Sequence, residues 1–385
     1  VNMGADEPVT LRFDEVFGTS EYTLLEVDEA LLERICGPDG AMIKGDAEDE
    51  ACLCTPDQTY VMRLAESSNT HYLIPGQLDA ESSTANISAS NSTYYELKPS
   101  VPRLVKLRRL LARHAYAGPF ASVAMEEDAE NAGAGGDSAA PTTAELLARV
   151  QCGDAQLRDA LRAMHAVQID GRWRGLEIKY RHNVMEAMLI LITEHDWPAD
   201  RVPVAKLLEQ LTAEFEDFTV DVSYRCLSSL CADALPDLEP ANSVPAELTA
   251  ALDLTKVAVF HAENMLREVP RWNRDEFFEG WRTVAPVGVE LELGLLHGIA
   301  VEVPPAGSSQ SATILWLPSS EQPMRMKERL ASLFRVKRQW RPAELSPYLD
   351  DVMEQELDRT KDQVLIRNAR QTKNKEGEMV FIERV

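Results

Sequence analysis

The chain has 385 residues, 45% of them apolar and 26% charged, and 39 Lys/Arg stand against 63 Asp/Glu for a net charge of −24. That describes a soluble globular chain of two to four domains at roughly 100–200 residues each, and it excludes a protein that coats nucleic acid or anionic membrane with its whole surface, which needs a positive field. No window approaches the roughly 18 consecutive apolar residues of a membrane span, and the first thirty residues lack the layout of a signal peptide, so the chain reads as intracellular. The six cysteines (Cys36, Cys52, Cys54, Cys152, Cys226, Cys231) show no zinc-type spacing and read as reduced, mostly packed thiols.

The first hundred residues are strand-like. Short apolar runs at Tyr22–Val27, Ala41–Lys44, Ala51–Cys54, Tyr60–Leu64 and Tyr72–Ile74 are separated by turn residues at Gly45-Asp46, Pro56-Asp57 and Pro75-Gly76. Asp28 is placed to cap a short helix through Cys36. Residues 79–93, rich in Ser, Thr, Ala and Asn, predict an exposed loop before a last strand at Tyr94–Leu97. Composition then changes. Lys98, Arg103, Lys106, Arg108, Arg109 and Arg113 follow one another with no acid between them, and Leu104, Leu107 and Leu111 form a helical stripe. An acidic Gly/Ala-rich linker, residues 126–140, predicts disorder and reads as an insertion within a domain.

The remainder carries a repeat. Apolar helical segments end at Ile192, Leu266 and Phe334, and each is followed by a tryptophan, Trp197, Trp272 and Trp340, at periods of 75 and 68 residues. Five residues beyond each stands an apolar side chain, Val202, Phe277 or Leu345, where a second helix is expected. Its start is signalled by Pro203 in the first copy and by Asn273 with Glu276 in the second, whereas Pro347 in the third would kink it. A third helix is expected around Val222–Leu230, Val289–Leu296 and Leu357–Leu365. Hairpins are expected from Ile299–Val303 with Thr313–Leu317 and, if the third helix of the last copy ends before Leu365, from Val364–Ile366 with Met379–Ile382. Three helices and a β-wing make a winged helix. A further unit precedes these, with a Thr142/Glu145 capping box, an Asp154-capped stripe at Leu157, Leu161 and Met164, and a hairpin across Asp170-Gly171. The fold class is therefore α+β: an N-terminal β-domain (1–98), a first winged-helix unit (99–176) carrying the 126–140 insertion, and further units at 177–252, 253–320 and 321–385.

Catalytic motifs are missing. There is no phosphate-cradling Gly-x-x-x-x-Gly-Lys-Ser/Thr loop and no His-Glu-x-x-His, and His261-Ala262-Glu263 lacks the cysteine half of a deaminase site. No catalytic residue, metal or cofactor is expected. Positive charge is the better clue. Residues 321–385 hold 14 Lys/Arg and 12 Asp/Glu, leaving 25 against 51 in the first 320. Within that unit Arg359, Lys361, Arg367, Arg370, Lys373 and Lys375 fall on the third helix and wing, the parts of a winged helix that meet DNA. The interspersed Asp358, Asp362 and Glu376 blunt that field. Secondary basic candidates are Arg103, Lys106 and Arg109 on the basic helix and Arg158, Arg162, Arg172 and Arg174 on the first unit. The repeat tryptophans read as packing anchors rather than base-stacking platforms.

One stretch is more specific: Lys44-Gly45-Asp46, then Glu50-Ala51-Cys52-Leu53-Cys54-Thr55, Asp57, Thr59-Tyr60, Arg63-Leu64-Ala65 and Ser67-Ser68-Asn69 up to Ile74-Pro75. With Tyr95-Glu96-Leu97, Pro102-Arg103-Leu104, Trp173-Arg174, and Trp340, Leu345 and Pro347-Tyr348, it resembles the Dcc family, the subunit named for defective sister chromatid cohesion. The resemblance implies a nuclear, non-ATPase subunit of the alternative replication factor C clamp loader. Its β-domain would join a small partner subunit and the C-terminal tail of the large ATPase subunit in a shared β-barrel. Its winged helices would reach the catalytic subunit of DNA polymerase epsilon and single- or double-stranded DNA, with the sliding clamp engaged indirectly and no membrane. A winged-helix DNA-binding regulator, or a tandem winged-helix scaffold of another assembly, would explain the repeat but not the N-terminal block.

Overall fold

The computed structural model describes residues 10–15, 17–18, 22–47, 49–75, 84–119, 139–236, 238, 244–305, 311–353 and 360–384. The predicted linker 126–140 lies outside these up to residue 138. The fold is α+β, a β-sheet region followed by mostly helical segments with small hairpins, and it divides into two compact units. Unit one is Val1–Arg103 with Leu147–Arg158, and unit two is Leu104–Leu146 with Asp159–Val385.

Unit one is built on strands β2 (Leu25–Glu26), β3 (Met42–Lys44), β4 (Cys52–Cys54), β5 (Thr59–Leu73) and β7 (Ala89–Ser100), ordered β2-β7-β5-β4-β3. A separate parallel pair joins β1 (Thr10–Phe13) to β6 (Thr84–Ile87). Among the described residues the strands make open sheets and no closed barrel. Helix α1 (Glu29–Ile35) starts as expected, the Asp28 carboxylate accepting from Leu31 N at 2.7 Å. The loop expected at 79–93 is corrected from residue 84 onward. Residues 84–87 are β6, and β7 begins at Ala89, pairing with the far end of β5 in the register Leu73↔Ala89 to His71↔Asn91. Polar side chains misled there because a ladder is made by the backbone, and the Ser/Thr/Asn residues decorate it. A register shift between Glu66 and His71 separates this outer ladder from the inner one.

The specific N-terminal block has an internal job within unit one. Gln151 Nε2 donates to the carbonyls of Lys44 (3.0 Å) and Glu50 (2.7 Å), and Lys44 Nζ donates to Cys152 O at 2.6 Å. Gly153 N and Thr59 Oγ1 both donate to Gln156 Oε1, at 3.0 and 2.7 Å. Gly153 lies so close to the turn after β4 that a Cβ there would sit 2.3 Å from Thr55 O. Cys52, Cys54 and Cys152 are buried free thiols. Burial pushes Cys152 up to about 12 and raises Cys52 and Cys54 as well, so these are packed side chains rather than a reactive set.

Unit two opens with α2 (Val105–Arg113), whose buried face is Leu107, Leu110 and Leu111. Helix α3 (Thr143–Arg149) has the expected capping box, with Thr142 N to Glu145 Oε2 at 2.7 Å and Glu145 N to Thr142 Oγ1 at 3.3 Å. Helix α4 (Asp154–Ala163), whose residues up to Arg158 belong to unit one, differs slightly from expectation. Asp154 is its first residue and pairs with Arg158, while Gln156 receives the Gly153 N–H. The hairpin β8 (Val167–Ile169) and β9 (Arg172–Arg174) turns on Asp170 and Gly171, both at positive φ as a tight hairpin turn requires.

The three tryptophan-marked stretches each contain helices and short strands. In the first copy, α5 (Ile178–Glu194), β10 (Val202–Pro203), α6 (Val204–Glu214) and α7 (Val220–Leu230) are closed by β11 (Thr249–Ala250). In the second, α8 (Leu254–Glu268), β12 (Arg271–Asn273) and α9 (Arg274–Val284) are closed by β13 (Ala300–Val303) and β14 (Thr313–Trp316) in the order β12-β14-β13. In the third, α10 (Met326–Val336), α11 (Pro342–Leu345) and α12 (Lys361–Asn368) lead into β15 (Ala369–Lys373) and β16 (Met379–Glu383), and Trp340 bridges to Phe381. Val202, Phe277 and Leu345 are fully buried. Trp272 Nε1 and Trp340 Nε1 donate to carbonyls seven residues back, on Met265 (3.4 Å) and Leu333 (3.2 Å). Trp197 instead lies beside the His195 ring, 4.8 Å away.

In these copies one expectation is corrected, the break at Pro347 is met, and one alternative is decided. The helix expected over Val289–Leu296 is only a 3₁₀ turn, Leu293–Leu296, after Gly288 at positive φ. Pro347 limits the second helix of the last copy to one turn followed by a 3₁₀ turn, Ser346–Tyr348. The third helix of the last copy does run through Leu365, so the alternative strand at Val364–Ile366 is excluded: Val364 and Leu365 fill the core and the hairpin begins at Ala369. The Leu357 part of that helix lies outside the described residues.

Candidate nucleic-acid interface

The terminal unit puts its cations at the end of a helix and along a hairpin. Helix α12 starts at a capping box, Thr360 N donating to Gln363 Oε1 at 3.1 Å and Gln363 N to Thr360 Oγ1 at 3.3 Å. It stops at Asn368, where Arg384 Nη1 donates to the Arg367 carbonyl at 2.6 Å, a cation satisfying the last carbonyls of a helix. The hairpin pairs Arg370 with Ile382 and Lys373 with Met379. Its turn is held by Asn374, whose side-chain oxygen accepts from Glu376 N (3.0 Å) and Glu378 N (2.8 Å), with Gly377 at positive φ.

The six predicted residues separate into classes. Arg359 lies outside the described residues. Lys361 is engaged: it pairs with Asp350 and donates to Ser346 Oγ at 3.1 Å. A cation in the first turn of a helix opposes the helix dipole, and Asp350 offsets it. Arg367, Arg370, Lys373 and Lys375 are exposed and have no ion pair among the described residues. Arg370 and Lys373 stand three residues apart on a strand, so they project from opposite faces, with Lys375 at the tip. Arg384 joins this cluster, and only the strand alternation running to the end of the chain could have pointed to it.

The secondary candidates are mostly occupied. Arg103 pairs with Glu50 at 3.0 Å and lies in unit one. Arg158 pairs with Asp154 (3.0 Å), Arg162 with Asp159 (2.9 Å) and Arg172 with Glu145 (3.9 Å) and the Ala140 carbonyl (2.5 Å). Lys106 and Arg174 also have interaction partners. Arg109 is exposed on α2. Hence four exposed cations on one helix end and hairpin are the densest basic surface that these assignments leave without ion pairs.

The sequence profile described as "Sister chromatid cohesion protein Dcc1" matches residues 22–349. The chain belongs to the Dcc1 family. It is 29% identical to the sister chromatid cohesion protein DCC1 of Xenopus tropicalis over 352 residues, which cover 89% of this chain and 84% of the relative. Identity to the human protein of that name is 27% over 342 residues (86% and 81%), and to the probable sister chromatid cohesion protein DCC1 of Dictyostelium discoideum 23% over 361 residues (89% of each). The Dcc1 profile covers the Gln151 socket of unit one and the first two copies of the repeat with the start of the third, and it stops before α12, so the basic hairpin lies beyond the matched stretch. No helix among the described residues of this Dcc1-family chain is long and apolar enough to cross a membrane.

Proposed function

We propose that this chain is a non-catalytic adaptor of the alternative replication factor C clamp loader, linking it in the nucleus to DNA polymerase epsilon and to DNA in support of sister chromatid cohesion and replication-checkpoint signalling. The supporting observation is the open edge of unit one. Edge strand β3 exposes Met42 by 57% and Ile43 by 59%, and Leu64 and Tyr72 on β5 are exposed as well. An unpaired edge with apolar side chains is a template for a strand from another chain, and soluble proteins ordinarily protect such edges. Strands from the small clamp-loader subunit and from the tail of the large ATPase subunit would complete it as a shared barrel.

Unit two then acts as the arm that meets polymerase and DNA, its helical copies and wings serving as winged-helix domains and the α12 hairpin as the DNA contact. Family membership and the repeat support this reading. The test is co-expression of the full chain with the small subunit and the large subunit's tail. A three-chain complex of equal stoichiometry is expected on affinity purification and gel filtration, and a full chain that elutes alone beside its partners overturns the proposal.

A further inference from the structure

Between α5 and the loop that follows α6 runs a groove of about 700 Å³ that the function proposed above does not use. One wall is a single face of α5: Asn183, Glu186, Ile190 and Glu194 recur at helical spacing over roughly 16 Å. The other wall is the loop 214–218. Its shape is set in advance, because Phe215 and Phe218 stack at 4.9 Å and Tyr180 Oη donates to the Asp217 carbonyl at 2.5 Å.

The lining is chemically one-sided. Glu186, Glu194, Glu214, Glu216 and Asp217 supply five carboxylates, and no Lys or Arg lines the groove. Between them the floor is apolar: Leu191, Phe215, Phe218 and Ile190, the last exposed by 51%. A nucleic acid or a second acidic face of this chain would be repelled there. An occupant must bring apolar side chains to the floor and cations to the rim, at a spacing that one face of a short helix supplies.

We infer that this groove is a docking site for a basic amphipathic helix of a partner protein. Preformed walls lower the ordering cost of such binding, and the carboxylate rim orients the helix while the apolar floor supplies the contact area. It is independent of the edge strand in unit one, so the two can fail separately.

Fluorescence anisotropy on the full-length chain tests it, using a labelled twelve-residue helical peptide of leucine and arginine at amphipathic spacing, beside a peptide in which every leucine is glycine. The wild-type chain should bind the leucine peptide at least tenfold more tightly than the glycine peptide. Glu186→Lys with Glu194→Lys should lose tenfold or more, while Glu276→Lys with Glu279→Lys, an equal charge change on exposed positions of α9, should not. Ile190→Ser, which leaves all charges in place, should lose affinity for the leucine peptide only. If the lysine pair melts early, Glu186→Gln with Glu194→Gln replaces it in the same comparison. Equal losses in the groove and α9 pairs, or equal binding of the two peptides, would overturn the inference, since bulk negative charge would then account for the binding.

Discussion

Asp351 is bound by two arginines more than two hundred residues apart in the chain. Its carboxylate holds the guanidinium of Arg329, and its carbonyl accepts from Arg108 of α2 at 3.4 Å. Arg329 is fully buried in the last copy of the repeat and spends its remaining donors on the carbonyls of Pro323 and Tyr348, both at 2.7 Å, and of Gln322 at 3.3 Å. The neighbouring Asp350 pairs with Lys361. Two consecutive aspartates thus collect cations from α10, α12 and α2.

Removing Arg329 leaves a carboxylate and three carbonyls without their donor. Breaking a buried pair from one side costs about 3–5 kcal/mol. Arg329→Met should therefore lower unfolding stability by about 3 kcal/mol in urea titrations, and Arg329→Lys should recover little, because an ammonium cannot reproduce the planar fork. A loss below about 1 kcal/mol would show that these bonds do not hold the terminal unit together.

The Gly153 contact makes a sharper demand in unit one. With a Cβ at 2.3 Å from Thr55 O, Gly153→Ala must push the 147–158 segment away from the turn after β4. We expect a cost of about 2 kcal/mol or more. Gly171→Ala serves as the comparison, since nothing lies near its Cβ and only its positive φ opposes the change, at about 1 kcal/mol. Equal melting temperatures for the two variants would contradict the close approach.

Much of this was legible beforehand, and the exceptions have physical reasons. The tryptophan offsets, the Asp170-Gly171 hairpin and the Thr142/Glu145 cap depend on residues near in sequence, so spacing reveals them. Strands β6 and the start of β7 were hidden because Ser, Thr and Asn give no apolar alternation. The use of Gln151 and Gly153 as a socket for Lys44, Glu50 and Thr55 is long-range, and only the folded chain brings those groups together. At the candidate interface, the cations on α12 and the hairpin could be counted from the sequence. That Lys361 is taken by Asp350, while Arg370 and Lys373 are not paired, needed the geometry.

The pH dependence of stability should report His165. Burial, with Arg181, Arg225 and Lys256 nearby, pushes its pKa down from 6.5 to about 4. A histidine depressed on folding contributes stability that is fully present above its unfolded pKa and is lost as pH falls toward the folded one. Urea midpoints should therefore drop between pH 6.5 and 4, and His165→Asn, which tolerates the positive φ at this position, should flatten that drop. An unchanged slope in the variant would assign the acid sensitivity to other groups, such as His261 and His297, which burial also lowers.

If the terminal hairpin meets DNA, the four unpaired cations should carry the binding. Arg370→Glu, Lys373→Glu and Lys375→Glu together should weaken binding of a labelled duplex and of a single strand at low salt. The slope of log affinity against log salt should shrink by about 0.9 for each duplex phosphate that is no longer neutralised. Lys361→Met should leave that slope unchanged, because Lys361 is held by Asp350. Equal affinity and slope in the triple variant would move the DNA-binding surface elsewhere in the chain or remove it.

The central claim is assembly through the open edge of unit one, and light scattering on the co-expressed complex tests it most directly. With the full chain, the small clamp-loader subunit and the tail of the large subunit together, we predict a single species with the mass of one copy of each. Met42→Lys with Ile43→Asp, both exposed positions on β3, should release this chain as a folded monomer while the other two stay paired. A variant complex of unchanged mass and stability would contradict strand addition at β3.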